Sequence, residues 1–341
     1  FGAVYPAGRF YLNGDLLGEH LSGLTPVEFD VTDLVEPGSQ ALVAVRLIRR
    51  HRFVQMDMVR HALEFGGLAQ PVCLFAVEPC HIRDYHFISE LDDDLATGRV
   101  GGTVEVQGAI DGALVHIAVG DATTTAPVEE GRARASISVA DPRLWNDEAP
   151  NLYPVVLTLR VPGQPDQTTS YRTGFRRLEL TERGARLNGN PVKFRGVNHL
   201  TFHPEHGMHT PPDWLRANLS LMKKANVNAI RTHFMGPPDL LDLCDEMGFY
   251  VLQELPVDWG TDYIHDPDWV PPALLRIEGG VRRDRHHPSI MVWSVGNENM
   301  PNTPENAEAG WENLRWFDHL CKELDPSRPT MFPPPGPANA I

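Results

Sequence analysis

The carboxyl-terminal half of the chain alternates short apolar runs with longer amphipathic stretches, and this pattern limits the fold more than any other feature. The apolar runs suit strands buried on both faces and lie at Pro191–Val197, Val227–Arg231, Phe249–Glu254, Ile290–Val295 and Thr330–Phe332. Helical spacing of apolar residues marks the stretches between them, at Trp214–Ala225, Leu240–Met247, Ala273–Arg285 and Ala307–Leu324. Such alternation forms a parallel sheet with right-handed crossovers. The sequence therefore predicts the first half of a TIM barrel, a (β/α)8 fold of about 250 residues, over residues 182–341.

Residues 1–80 show strands separated by turns instead. Asn13-Gly14, between the apolar residues of Arg9–Leu12 and Leu16–Leu17, is a strong hairpin signal. Further strands are predicted at Val27–Val31 and Ala41–Leu47. This is the pattern of an antiparallel sandwich. The first nine residues contain no convincing strand, so we expect strands of this domain to lie upstream of Phe1.

Residues 81–181 repeat the strand and turn pattern as a second domain. Apolar and polar residues alternate in four runs, Val100–Val106, Leu114–Val119, Ala133–Val139 and Tyr153–Val161. Their spacing fits an immunoglobulin-like sandwich of about 100 residues. The predicted fold class is thus multidomain, with two all-β sandwiches followed by an α/β partial barrel.

Charge and composition exclude several classes of partner. Thirty Lys and Arg residues stand against 45 Asp and Glu residues, which gives a formal net charge of −15. An acidic surface repels phosphates, so neither nucleic acid nor a membrane is predicted as a partner. No apolar run reaches the roughly 20 residues of a membrane span. The four cysteines form no CxxC or disulfide framework, which favours a reducing, cytoplasmic location.

Polar side chains follow each of the first four predicted barrel strands. They are Asn198 and His199, Arg231 and His233, Glu254, and Asn297 and Glu298. The carboxyl ends of barrel strands meet on one face, where barrel enzymes place their active sites. Carboxylates can protonate or attack an acetal centre, while amide, imidazole and guanidinium groups bind hydroxyls. The sequence therefore predicts a site for a hydroxyl-rich substrate.

The histidines of residues 199–209 have the spacing of a metal site on a helix. They are His199, His203, His206 and His209. Pro204 and Gly207 interrupt any helix there, and no cysteine lies nearby. We therefore predict no metal in this segment.

Several blocks of the chain together resemble glycoside hydrolase family 2, which includes β-galactosidases, β-glucuronidases and β-mannosidases. YLNGDLLGEH and FDVTDLVEPG are similar to its jelly-roll domain, and LWNDEAPNLYPVVLTL with YRTGFRRLEL to its middle sandwich. LNGNPVKFRGVNH, LMKKANVNAIRTH, LCDEMGFYVLQE and RDRHHPSIMVWSVGNE are similar to successive strands of its TIM barrel. Several ordered blocks at the expected spacing are far more specific than a lone motif.

The resemblance implies a retaining exo-β-glycosidase that uses two carboxylates about 5–5.5 Å apart. Glu298 takes the position of the general acid/base, and Asn297 before it would bind the sugar 2-hydroxyl. Arg231 matches an arginine that contacts the nucleophile. The nucleophile is a glutamate of the seventh strand and is expected beyond Ile341, so the 341-residue polypeptide alone is expected to be inactive. A homo-oligomer is left open.

Departures from the family pattern bear on the metal and the substrate. Where β-galactosidases have a Glu-x-His magnesium motif, this chain has Asp258-Trp259-Gly260, so no cofactor is predicted and magnesium is disfavoured. Asp57 matches a jelly-roll aspartate that reaches the galactose site, which favours a β-galactosidase. Asn198, His199 and His233 complete the predicted substrate contacts. The alternatives are a β-glucuronidase, a β-mannosidase, and a non-catalytic fragment that binds carbohydrate.

Overall fold

The computed structural model describes residues 1–49, 51–57, 66–182, 184–258, 263–299, 301 and 303–332. The first region holds β1 (Val4–Tyr5), β2 (Gly8–Leu12), β3 (Asp15–His20), β4 (Val43–Leu47) and β5 (Gly67–Leu68). Strands β3, β2 and β4 form one antiparallel sheet in that order, and β1 pairs with β5. The predicted hairpin is confirmed, because Asn13 and Gly14 join β2 to β3 with positive φ angles of 52° and 98°. The strand predicted at Val27–Val31 is wrong, since no part of that run pairs in a sheet.

The second region is a sandwich of two antiparallel sheets. Its strands are β6 (His81–Leu91), β7 (Thr97–Gln107), β8 (Leu114–Val119), β9 (Ala122–Pro127), β10 (Arg132–Ala140), β11 (Tyr153–Arg160) and β12 (Gln167–Thr173). The sheet orders are β10-β7-β6 and β12-β11-β8-β9. Alternate side chains of both sheets, among them Val104, Ile117 and Leu157, are fully buried between them. All four strands predicted in this region are therefore confirmed.

A small antiparallel sheet joins the sandwich to the barrel. It contains β13 (Leu178–Thr181), β14 (Gly184–Leu187) and β15 (Asn190–Pro191). The predicted domain boundary between residues 181 and 182 falls inside the hairpin of β13 and β14. The barrel strand predicted at Pro191–Val197 begins later, because Pro191 pairs with Arg186 of β14 instead.

The third region alternates strand and helix as predicted. Its elements are β16 (Gly196–His199), α1 (Pro212–Lys224), β17 (Ala229–Thr232), α2 (Pro238–Met247), β18 (Tyr250–Glu254), α3 (Val270–Asp284), β19 (Ile290–Ser294), α4 (Pro304–Leu324) and β20 (Thr330–Met331). All five strands run parallel in chain order. Gly248 ends α2 in the left-handed conformation with φ 72°. A Cβ there would lie 2.6 Å from the Asp147 carbonyl oxygen, so glycine is required.

Two packed layers position the barrel sheet. Its outer face is buried against the helices, with Val251 and Trp293 fully buried among Leu215, Leu240 and Ile277. The first region adds Tyr5 and Met56 to the same core. Trp145 of the second region packs in a separate cluster at the amino-terminal ends of β17–β19. Among the described residues, no helix is both long and apolar enough to cross a membrane.

Candidate active site

The carboxyl ends of β17, β18 and β19 bring three predicted polar side chains into direct contact. Arg231 lies on β17, Glu254 ends β18, and Asn297 follows β19 by three residues. Parallel strands end at the same edge of a sheet, so residues distant in sequence meet there. The sequence therefore predicted this cluster from strand order alone.

Arg231 is the centre of the cluster. Its Nε donates to Glu254 Oε2 at 2.8 Å, and its Nη2 donates to the same carboxylate and to Asn297 Oδ1, the latter at 2.6 Å. Glu254 is fully buried, whereas Arg231 is partly exposed. A guanidinium held at three points keeps one orientation, so Arg231 fixes the position of Asn297.

Asn297 is clamped from both sides of its amide. While its Oδ1 accepts from Arg231, its Nδ2 donates to Asp258 Oδ1 at 2.8 Å. Asp258 is itself held by the first region, because its backbone N–H donates to the Met56 carbonyl at 3.1 Å. The two bonds require opposite ends of the amide, so the side chain of Asn297 cannot flip without losing both.

Glu298 lies in a tight turn directly after the clamped asparagine. Its backbone has φ 54°, a left-handed conformation uncommon outside glycine. Gly296 allows the turn, because a Cβ there would come within 2.8 Å of Asn299 Oδ1. Asn297 and Asn299 are buried, yet Glu298 between them is partly exposed. A partly exposed carboxylate thus sits in a strained turn just after the sheet edge, and such strain clusters at functional sites.

A second buried polar chain supports the cluster from the helix side of the sheet. Thr232 Oγ1 donates to Gln253 Oε1 at 3.0 Å, and Gln253 Nε2 donates to Asp284 Oδ2 at 2.9 Å. The backbone N–H of Glu254 donates to Thr232 Oγ1 at 3.0 Å. This series of hydrogen bonds was not predicted from the sequence. Two polar residues within largely apolar strands, Thr232 and Gln253, were the signal that could have indicated it.

The remaining predicted barrel residues lie at different distances from the cluster. His233 is close, with Nε2 3.4 Å from Glu254 Oε1. Asn198 is exposed and in register with Arg231, so the two share a face of the sheet. His199 is buried and in register with Thr232, which faces the helices, and burial lowers its pKa. The geometry thus favours Asn198 over His199 as a substrate contact.

Asp57 lies beside the cluster but is occupied by another partner. It is fully buried, and its two carboxylate oxygens accept from Arg276 Nε at 3.0 Å and Nη2 at 2.7 Å. Its neighbour Met56 contacts Asp258, so this segment borders the site. The substrate role of Asp57 stays a prediction. In this structure the residue joins the first region to α3.

The described residues contain one group of side chains with the spacing of a metal site, formed by Asp242, Asp245 and His287. His287 Nδ1 lies 2.6 Å from Asp245 Oδ2, and Asp242 pairs with Arg172 at 3.1 Å. Ion pairs thus account for these groups without a metal. In the histidine segment, His203 Nδ1 accepts from the backbone N–H groups of residues 205 and 206. Residues 259–262, relevant to magnesium, lie outside the described residues.

Glu254 should make the stability of the protein depend on pH. Burial raises the pKa of its carboxyl from 4.5 to about 8, and Arg231 offsets only part of this effect. The folded state therefore holds the proton more tightly than the unfolded state. Its stabilising contribution is complete below the unfolded pKa and is lost as the pH rises through the folded pKa.

Between about pH 5 and pH 8, we expect the free energy of unfolding of the parent protein to fall by at least ~2 kcal/mol relative to that of Glu254→Gln, because one pKa unit corresponds to about 1.4 kcal/mol. The amide of the variant does not titrate, so the difference between the two proteins isolates this carboxyl. Urea unfolding of both full-length proteins across this range measures it. Parallel stability curves would contradict the expectation.

Comparison with known proteins identifies the family. The description "Glycosyl hydrolases family 2, TIM barrel domain" matches residues 178–335, and "Glycosyl hydrolases family 2" matches residues 80–176. A Vibrio cholerae β-galactosidase is 31% identical over 356 residues, covering 97% of this chain and 34% of its own length. A Lactococcus lactis β-galactosidase is 30% identical over 341 residues, which cover 97% of this chain and 33% of that protein. The chain thus spans about a third of the length of these curated relatives.

Solved structures agree with the fold. A β-glucuronidase of Parabacteroides merdae superposes with a TM-score of 0.85 at 24% identity, over 97% of this chain and 44% of that one. A β-glycosidase of Bacteroides vulgatus superposes with a TM-score of 0.81 at 27% identity, over 97% of this chain and 43% of that one. Two sandwiches followed by parallel barrel strands with a polar carboxyl-terminal rim define a barrel protein of the glycosidase class. The chain belongs to glycoside hydrolase family 2, and the predicted family and fold class are confirmed.

Proposed function

We propose that the full-length protein is a retaining exo-β-glycosidase in which Glu298 is the general acid/base. The observation that carries this proposal is the fixed pair at the end of β19. Asn297 is clamped between Arg231 and Asp258, and the partly exposed Glu298 occupies the next position. A clamped amide presents a constant hydrogen-bonding edge to a sugar hydroxyl, and the adjacent carboxylate can protonate the glycosidic oxygen. Retention requires a second carboxylate as nucleophile, and no described residue is assigned this role.

We further propose a neutral sugar, and first of all a β-galactoside, as the substrate. Curated relatives at about 30% identity are named β-galactosidases, which supports this choice. A uronic acid would need a cation for its carboxylate. Arg231, the guanidinium that the described strand ends supply, is already engaged by Glu254 and Asn297. β-Glucuronide is the second candidate, because structural neighbours include β-glucuronidases.

A panel of aryl β-galactosides, β-glucuronides and β-mannosides tests both levels of the proposal on the full-length protein. Fastest cleavage of the galactoside, with a β-anomeric product first seen by NMR, is the expected result. Faster cleavage of the glucuronide or the mannoside would contradict the proposed sugar specificity but would still support glycosidase activity. Binding without hydrolysis of any substrate would replace the enzyme with a carbohydrate-binding protein.

A further inference from the structure

A cavity lies on the opposite edge of the barrel sheet from Glu298. Its volume is about 550 Å³. It is lined by residues 86–92, 99, 173, 174 and 176–178 on the sandwich side and by residues 285, 286, 288, 291 and 326–329 on the barrel side. Met291, near the start of β19, is one of its lining residues. Because a strand rises about 3.3 Å per residue, the three steps from Met291 to the end of β19 alone span roughly 10 Å, and Glu298 lies beyond that end. The cavity is therefore separate from the candidate active site.

Five arginines line this cavity: Arg99, Arg176, Arg177, Arg285 and Arg328. Three of them have carboxylate partners. Arg328 pairs with Asp325, Arg177 with Asp93 and Glu179, and Arg285 with Asp84, which Arg282 also contacts. The exposed Glu90 and Asp92 line the cavity as well. The arginines and carboxylates therefore balance overall, and attraction for an anion is local to Arg99 and Arg176, which form no ion pair among the described residues.

Arg176 is a half-buried cation whose hydrogen bonds go to neutral acceptors. Its Nε and Nη2 donate to the backbone carbonyls of Pro288 and Ile290, each at 2.5 Å. Across the described ranges it forms no ion pair with a carboxylate. Burial lowers its pKa to about 9, and the nearby positive charge of Arg328 adds to the effect. A charge in this situation gains strongly from an anion.

Arg285 and His286 add donors without partners. Arg285 is 5% exposed and uses Nη2 to bind Asp84 and the Tyr85 carbonyl. Within the described part of the chain, Arg285 Nε and His286 Nε2 are buried and have no hydrogen-bond partner. Such groups are rare in folded proteins, and both atoms are closed to solvent, so they add polarity behind the cavity wall rather than open contacts. The pKa of His86 falls to about 4 on burial, so the charge at neutral pH comes from the arginines.

We propose that this cavity binds a tetrahedral oxyanion, sulfate or phosphate, either free or as the ester group of a small sugar. Arg176 supplies charge-assisted hydrogen bonds, and Arg285, which lines the same cavity, adds positive charge. Arg99, exposed on β7, approaches the same cavity. Residues of both the sandwich and the barrel line the site, so the anion joins the two regions and stabilises their interface.

Titration calorimetry of the full-length protein tests binding, with sodium sulfate, sodium phosphate, galactose 6-sulfate and sodium chloride at matched ionic strength, each in the presence of saturating galactose to fill the candidate active site. Sulfate or phosphate should bind and raise Tm under these conditions, whereas chloride should not. Tighter binding of galactose 6-sulfate than of sulfate would identify an ester as the ligand, and equal or weaker binding would identify the free ion. Equal responses to sulfate and chloride would overturn the proposal.

Variants and a crystal soak locate the site. Arg176→Gln should weaken sulfate binding by about 10-fold or more, and the exposed Arg99→Gln by a smaller factor. Arg134→Gln, an exposed arginine on β10 outside the cavity, is the matched control and should leave the affinity unchanged. A selenate soak should give an anomalous peak between Arg176 and Arg285. A peak without calorimetric binding would mean an adventitious ion only, and a protein carboxylate filling the cavity would equally overturn the proposal.

Discussion

The Glu298→Ala variant of the full-length protein should lose about 10²–10⁴-fold in kcat on substrates with poor leaving groups, such as alkyl β-galactosides. Without the acid, the departing alkoxide carries its full negative charge in the transition state. Aryl substrates with acidic phenols should lose much less in the glycosylation step, because that leaving group needs no proton. Steady-state kinetics across a series of leaving-group pKa values measures the difference as a steeper dependence in the variant.

Azide separates loss of the acid/base from general damage to the site. A small anion can attack the glycosyl-enzyme without general base assistance, so azide should restore turnover of activated substrates by Glu298→Ala and give a β-glycosyl azide. Glu308→Ala, at an exposed glutamate of α4, is the matched control and should behave like the parent protein. Unchanged activity in Glu298→Ala, or equal losses on all leaving groups without azide rescue, would remove Glu298 from this role.

The second large effect concerns the buried ion pair between the first region and α3. Asp57 and Arg276 are both fully buried, and Arg276 also donates to the carbonyls of Leu21 and Pro272. Asp57→Ala leaves a buried guanidinium without its counter-charge, which costs about 3–5 kcal/mol. Amide hydrogen exchange in α3 should therefore become about 10²–10³-fold faster, since each factor of ten corresponds to about 1.4 kcal/mol.

Two further variants define the cause of that loss. Asp166→Ala removes an exposed partner of Arg160 at 3.2 Å and should cost less than about 1 kcal/mol. Asp57→Leu combined with Arg276→Met removes both charges and should recover most of the stability, because the penalty comes from the unpaired charge. If Asp57→Ala leaves exchange in α3 unchanged but raises KM, the residue contacts substrate rather than joining the two regions.

Local sequence pattern was sufficient for the barrel elements. Apolar runs and helical spacing predicted five parallel strands and four helices. Strand order then placed Arg231, Glu254 and Asn297 on one edge of the sheet. These successes share a cause, since side-chain period and parallel order are properties of the chain itself.

Sequence pattern gave wrong strand predictions where a strand depends on pairing with a partner distant in the sequence. Val27–Val31 has the composition of a strand but finds no neighbour in a sheet, and Pro191 pairs with β14 instead of starting the barrel. Neither outcome can be decided from a local window. The same limit applies to His199, because its side of the sheet depends on a register set by pairing with β17.

The sequence by itself determined the family, the order of the strands and the presence of Glu298 after β19. Only the tertiary structure decided which groups contact each other: Asn297 clamped between Arg231 and Asp258, and Asp57 bound to an arginine 219 positions away. Periodicity is a local steric property that can be read along the chain. Charge pairing in a buried site depends on distances of a few ångströms between remote segments, and those distances exist only once the regions have packed together.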